Sequence, residues 1–219
     1  MRLLEAIRNA FTTVLDVILP RKERAMRTVS RTLEDLPLLP SLHELRGVRI
    51  TTLMDYNVGA VEDTIRTLKY DGTREAAKLL ASALADYLRE EMASIKAFSP
   101  RPIILVPVPL HPSRVHERGF NQMERVLENL PGEFRNGSLA RLSPGGLLRT
   151  RATKQQTRLS RQERLKNVVG AFAADRKAVR GTHCILIDDV TTTGATLSEC
   201  AKALESAGSV VTAIALARA

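Results

Sequence analysis

From residue 102 onward the chain repeats one pattern: a short run that is apolar at almost every position, then a stretch with the helical period. The runs are "IILVPVPL" (103–110), "CILID" (184–188) and "VVTAIALA" (210–217); the stretches between them include "NQMERVLENL" (121–130) and "ATLSECAKALESAG" (195–208). A run with no polar face suits a strand buried on both sides, and each is far shorter than the ~20 apolar residues of a membrane-crossing helix. Strand, helix, strand in that order joins parallel strands by right-handed crossovers, with helices lying on the sheet. The expected fold class is therefore α/β, a parallel sheet flanked by helices.

Upstream, "VRITTLMDY" alternates β-branched residues as a strand does, and residues 59–70 and 73–95 carry the helical period. Leu3, Leu4, Ile7, Phe11, Val14, Leu15 and Ile18 recur at the same period, so residues 2–19 form an amphipathic helix ended by Pro20. Residues 21–47 read as a connector with room for one short helix in "RTVSRTLEDL". With 219 residues there is material for one sizeable core and a small appendage, divided here into a helical N-terminal extension, 1–50, and a main domain, 51–219. Glu5, Arg8 and Asp16 interrupt the first apolar block and no small-residue cleavage site follows it, which argues against a signal peptide and for a cytoplasmic protein without a membrane span. Cys184 and Cys200 stand too far apart for a metal or redox pair and read as small core residues. The net charge of +9 favours anionic partners without choosing among phosphorylated metabolites, nucleic acid and membrane surface.

The stretch "CILIDDVTTTGATL" (184–197) carries most of the chemistry. Ligands of an open parallel sheet bind at the carboxyl ends of strands, and here the strand is expected to end at Asp188 and Asp189, the loop to run from Val190 to Thr193, and a helix to begin near Gly194 to Thr196. The amides of a Thr/Gly turn and of the helix start form a phosphate nest, to which Thr191, Thr192, Thr193 and Thr196 add hydroxyls, while Gly194 and Ala195 leave room for close approach. Two carboxylates repel a phosphate but accept hydrogen bonds from vicinal hydroxyls. A sugar phosphate satisfies both, with Asp188 and Asp189 on ribose and the turn on a 5′-phosphate, and Mg2+ bound mainly through the ligand's own oxygens. The alternative is an acidic helix cap followed by ordinary turn residues. No Gly-Lys pair exists to make a Walker loop, so nothing points to an ATP-driven motor.

These residues resemble the phosphoribosyl pyrophosphate (PRPP) signature of type I phosphoribosyltransferases. Together with "IRTLKYDGTREAAKLLA" (65–81), "VPVPLHPSRVHERGFNQ" (106–122) and "TKQQTRLSRQERLKNVVGAF" (153–172), they make the chain similar to the ComF family from about residue 55 onward. The resemblance implies a type I phosphoribosyltransferase-like fold, transfer of phosphoribose from PRPP to an unassigned acceptor with Mg2+, and a place in competence or DNA uptake beside a helicase partner. Relatives commonly carry a four-cysteine zinc ribbon after the first helix; residues 21–47 here contain no cysteine, so no zinc is expected and the N-terminal piece is left to hydrophobic contact.

In type I enzymes negative charge grows on departing pyrophosphate, which calls for cations. Arg114 and Arg118 in "HPSRVHERGFNQ", with the helix start after Gly119, are candidates, Phe120 and Asn121 shaping the turn. Residues 149–166 hold seven Lys/Arg and one acid, Glu163, and suit a mobile hood with Gln156, Arg161, Arg164 and Asn167 contributing. The same segment suits a surface for single-stranded DNA, the basis of a second reading as a DNA-binding protein; a third keeps the nucleotide pocket but little turnover, as an accessory module. His111 and His116 lack a convincing metal-ligand spacing. Lys69 and Tyr70 of "LKYDG" match the family pattern, with helix-end packing as their expected role.

Overall fold

A computed structural model describes residues 21–151 and 167–219. The expected helix over 2–19 lies outside the described residues. The helices are α1 (Arg21–Val29), α2 (Gly59–Asp71), α3 (Arg74–Phe98), α4 (Pro112–Arg118), α5 (Gln122–Glu128), α6 (Arg176–Val179) and α7 (Ala195–Ser206). The strands are β1 (Ser41–Leu45), β2 (Val48–Asp55), β3 (Ile103–Pro107), β4 (Arg141–Leu142), β5 (Leu147–Arg149), β6 (Phe172–Ala174), β7 (His183–Thr191) and β8 (Val210–Arg218).

The three apolar runs become β3, β7 and β8, adjacent in a six-stranded sheet of order β1-β2-β8-β7-β3-β4. All neighbours are parallel except β1 and β2. Alternation sorts the side chains of the central strands onto two faces. Ile103, Leu105, Ile185, Ile187, Ile214 and Leu216 pack with α2, α3 and α5; Ile104, Val106, Cys184, Leu186, Ala213 and Ala215 pack with α7. The fold is thus a mixed α/β layer structure whose sheet is mostly parallel.

Three details differ from the sequence reading. The segment read as a connector contains β1, joined to β2 by Arg46 and Gly47, both at positive φ (58° and 73°), as a two-residue hairpin turn requires. The expected boundary at residue 50 falls inside β2. "HPSRVHER", read as loop, contains α4: the His111 side chain accepts from the Ser113 amide and Gly119 closes the helix in the left-handed region.

A further difference concerns α1, which docks through polar contacts. Met26 and Val29 are exposed, while Arg24 and Thr28 are buried. Arg24 pairs with Asp71 at 3.2 Å, Thr28 and Thr67 share a hydroxyl hydrogen bond of 3.1 Å, and Arg31, just past the helix, pairs with Asp63 at 2.9 Å. Asp63, Thr67 and Asp71 fall four apart along one polar stripe of α2; Arg24 and Arg31 donate to its two carboxylates, while the Thr28 hydroxyl, which donates to the Arg24 carbonyl, meets Thr67.

Gly194 shows how closely the hairpin sits against the start of α7. Its φ is +71°, and a Cβ there would lie 2.6 Å from Leu45 Cβ and 3.0 Å from Ile50 Cδ1. Gly119 also has positive φ, +79°, but nothing within 4 Å. Both Gly→Ala variants carry the left-handed penalty of about 1–2 kcal/mol, and G194A adds an overpacking cost of about 1–3 kcal/mol. G194A should therefore melt several degrees below G119A in a thermal scan; equal melting would contradict the packing described.

Candidate functional site

β7 does not end at the acid pair. It continues to Thr191, because β8 stays in register beside it: Asp188 lies opposite Ala215, Val190 opposite Ala217 and Thr191 opposite Arg218. Held in a strand, the two carboxylates leave on opposite faces of the sheet. Asp189 shares its side with Ile185 and Ile187, toward α2 and α5; Asp188 shares its side with Cys184 and Leu186, toward α7.

Asp189 is buried, and each of its oxygens has a donor. Lys69 Nζ, from the last turn of α2, lies 2.9 Å from Oδ1, and Gln122 Nε2, from the first turn of α5, donates to Oδ2 at 2.7 Å. Gln122 is aimed by the cap beside it: Asn121 accepts from the Met123 amide at 2.9 Å and donates to the Val108 carbonyl at 3.2 Å. Burial opposes the charge of Lys69, but Asp189, Tyr56 and Asp188 outweigh it and raise its pKa. Asp188 is half-buried, accepts from the Asp189 amide at 2.9 Å, and is pushed up to about 7 by burial and then by Asp189, against the pull of Lys69 and Arg149.

The turn after the pair runs through Thr192 and Thr193 into α7. Thr192 is exposed; Thr193 and Thr196 are half-buried; Thr191, Gly194 and Ala195 are buried. Thr193 Oγ1 accepts from the Ala195 amide at 3.4 Å. The open side of Gly194 is filled by Leu45 and Ile50, so the missing side chain makes room for the hairpin rather than for a ligand.

Across the strand ends, α4 and β5 bring cations together. Arg118 Nη1 donates to Gln122 Oε1 at 3.3 Å, which links it through one side chain to Asp189. Burial and neighbouring Arg118 lower the pKa of Arg114; burial and neighbouring Arg114 lower that of Arg149. Arg114 thus lies between Arg118 and Arg149, and Arg149 is the one that acts on Asp188. Phe120 packs on Gly72, where a Cβ would lie 2.7 Å from its ring, and Arg125 stacks 3.8 Å from the ring centroid while donating to the Gly72 carbonyl. That contact ties the α4–α5 corner to the end of α2, which carries Lys69.

The structure thus joins Asp188, Asp189, Arg114 and Arg118 in one corner. Gln156, Arg161 and Arg164 lie outside the described residues; Asn167 is described, its carbonyl accepting from Arg151 at 3.3 Å. Lys69, read as helix-end packing, and Gln122 had no chemical role in the sequence reading. Lys69 stands at the end of an amphipathic helix, and nothing local marks a partner so distant in the chain; the available signal was that a buried Asp needs a cation. Among the described residues no three His, Cys, Asp or Glu side chains converge as a metal cage, and none of the described helices is long and apolar enough to cross a membrane. A cleft of about 310 Å3 between Leu39, His43, Met54, Asn57 and Arg218 contains none of the residues of this corner.

Fold and site define a mixed α/β protein with an acid pair, an amide-rich turn and an arginine cluster at the carboxyl edge of a mostly parallel sheet. No family model matches the chain. The competence protein ComFC of Streptococcus pneumoniae is 32% identical over 162 residues, 74% of this chain and 64% of that protein. The DNA utilization protein YhgH of Escherichia coli is 32% identical over 158 residues, 71% of this chain and 65% of that protein. Over this aligned region the chain is similar to these proteins, as its resemblance to the ComF family leads one to expect. It spans just under two thirds of the length of these relatives. Among solved structures, a hypoxanthine phosphoribosyltransferase of Staphylococcus aureus overlaps 67% of this chain and 65% of its own at TM-score 0.34 and 13% identity. An orotate phosphoribosyltransferase of Mycobacterium tuberculosis overlaps 89% and 81% at TM-score 0.34 and 12% identity. Overlaps this low say nothing about the site.

The raised pKa of Asp188 has a sign. A carboxyl at about 7 in the fold and about 4 unfolded contributes stability below about pH 4 that is lost as pH rises to about 7. Asp188→Asn removes that loss. D188N should melt above the wild type at pH 8, with the gap narrowing toward pH 5; a gap independent of pH would contradict the burial of this carboxylate.

Proposed function

We propose that the protein binds PRPP at this corner and transfers its phosphoribosyl group to an acceptor, in the manner of a type I phosphoribosyltransferase. The observation that carries this reading is the Asp189–Gln122–Arg118 chain, which sets an acidic pair suited to sugar hydroxyls beside a cation cluster suited to a diphosphate. In the reaction the bond from the anomeric carbon to pyrophosphate oxygen breaks and a bond from that carbon to the acceptor forms. Charge grows on pyrophosphate, and Arg114 and Arg118 on α4 are positioned to meet it. Asp188, whose carboxylate faces away from the Lys69 clamp, offers hydrogen bonds to ribose hydroxyls. The amides from Thr192 to Thr196 and the hydroxyls of Thr192, Thr193 and Thr196 suit the 5′-phosphate.

The described residues fit Mg2+ only as an ion carried on the ligand: they build no cage, and both oxygens of Asp189 are engaged. Bound that way, the ion neutralises pyrophosphate charge.

The relatives' names, competence protein and DNA utilization protein, support a role in DNA uptake or use; single-stranded DNA or a helicase is the partner that the family resemblance implies. A second reading, an accessory module that holds PRPP with little turnover, is favoured by one observation: both oxygens of Asp189 are already engaged by protein donors.

Calorimetry with PRPP and Mg2+ should show saturable binding that Arg118→Ala weakens about 10- to 100-fold, the loss of a charge-assisted contact of about 1.5–3 kcal/mol. The double variant D188N/D189N should show no heat. Pyrophosphate release with a panel of nitrogenous bases separates the enzyme from the module. No heat from the wild type defeats both. Binding of single-stranded DNA that does not weaken with salt would count against a phosphate-reading surface.

A further inference from the structure

The motif "LKYDG" is not used by the phosphoribosyl reading, yet its lysine reaches the centre of the corner. Lys69 Nζ lies 2.9 Å from Asp189 Oδ1, and its side chain is 20% exposed. The opposite oxygen of Asp189 takes the Gln122 amide at 2.7 Å. Asp188 has a different environment. On its own strand it accepts the Asp189 amide; Arg149 of β5 and Cys200 of α7 are the other ionisable groups near it, besides Asp189 and Lys69. Tyr56, at the end of β2, stands near Lys69 and Asp189, with Glu62 and Arg66 beyond it. Two adjacent carboxylates in one buried corner resist holding two charges.

We infer that Lys69 is a positioning residue: by clamping Asp189 from the side opposite Gln122 it fixes Asp189 as the anion of the pair and leaves Asp188 as the member that exchanges a proton. Asp189 carries a cation on one oxygen and an amide on the other. Asp188, set on the other face by the pleat, takes up and releases the pair's proton. It therefore presents a hydroxyl donor to a ligand oxygen when protonated and an acceptor to a ligand hydroxyl when not. The raised pKa of Asp188, about 7, agrees with this division. With Lys69 neutralised, the Gln122 amide would be the remaining side-chain donor to Asp189 among the described residues, and the pair would hold its proton to higher pH.

The use of this device rests on the phosphoribose reading; its test does not. In the protein without ligand, 13C NMR of the aspartate carboxyl carbons, assigned through backbone correlations and with D188N and D189N, follows the pair as pH is raised. The wild type should show Asp188 as the carboxyl that titrates, near 7. Lys69→Met should raise the pair's upper midpoint by about one to three pH units, the usual effect of an opposite charge in contact. Lys69→Arg should return it to near the wild-type value, which a purely packing role for the side chain would not predict. If K69M fails to fold by circular dichroism, Lys69→Gln answers the same question. Titration of Asp189 instead of Asp188 in the wild type, or an unchanged midpoint in the neutral variant, overturns the inference. A parallel calorimetric arm keeps the two readings apart: absence of PRPP binding in every variant with the NMR shift intact defeats the ligand reading and leaves the role of Lys69 standing.

Discussion

Burial of Asp189 is the constraint from which the corner follows. A carboxylate cannot leave water without donors on its oxygens, and the chain supplies them from two helices that are far apart in sequence, Lys69 on α2 and Gln122 on α5. Each helix is then fixed by its own end. Gly72 closes α2 in the left-handed region and receives the Phe120 ring; Asn121 caps α5 and holds it to the Val108 carbonyl. The residues that satisfy one buried charge thereby set the relative positions of α2, α5 and β7. Arg118, bonded to the same glutamine, is brought along with them.

The sheet adds the second constraint. Because β7 stays paired with β8 past the acids, adjacent aspartates point to opposite faces and meet different neighbours. One becomes an engaged ion, the other a half-buried carboxyl with a raised pKa. A loop at the same place would let both point to solvent and titrate as ordinary carboxylates. The asymmetry comes from the pleat, with no special residue needed to create it.

Much of this was legible in the sequence because the signals were local. Apolar runs located β3, β7 and β8, helical periods located α2, α3, α5 and α7, and the acid-threonine-glycine string located the corner. What stayed hidden depended on contacts between distant segments. Lys69 could not be read as a partner of Asp189 from "LKYDG" alone, and the docking of α1 stayed hidden because the residues it buries, Arg24 and Thr28, are polar. Gly194 was read as room for a ligand; only the hairpin, folded back from residues 41–55, shows that Leu45 occupies that space. The last two residues of β7, Val190 and Thr191, were read as loop because they open a Thr/Gly string, a local preference that pairing with Ala217 and Arg218 overrides.

A crystal structure of the chain grown with PRPP and Mg2+ addresses the central claim most directly. The account predicts the 5′-phosphate on the amides between Thr192 and Thr196, a ribose hydroxyl on Asp188, pyrophosphate toward Arg114 and Arg118, and the Lys69–Asp189 pair unbroken. Density for the ligand elsewhere, for instance in the cleft beside Arg218, with the acid pair untouched, would contradict it.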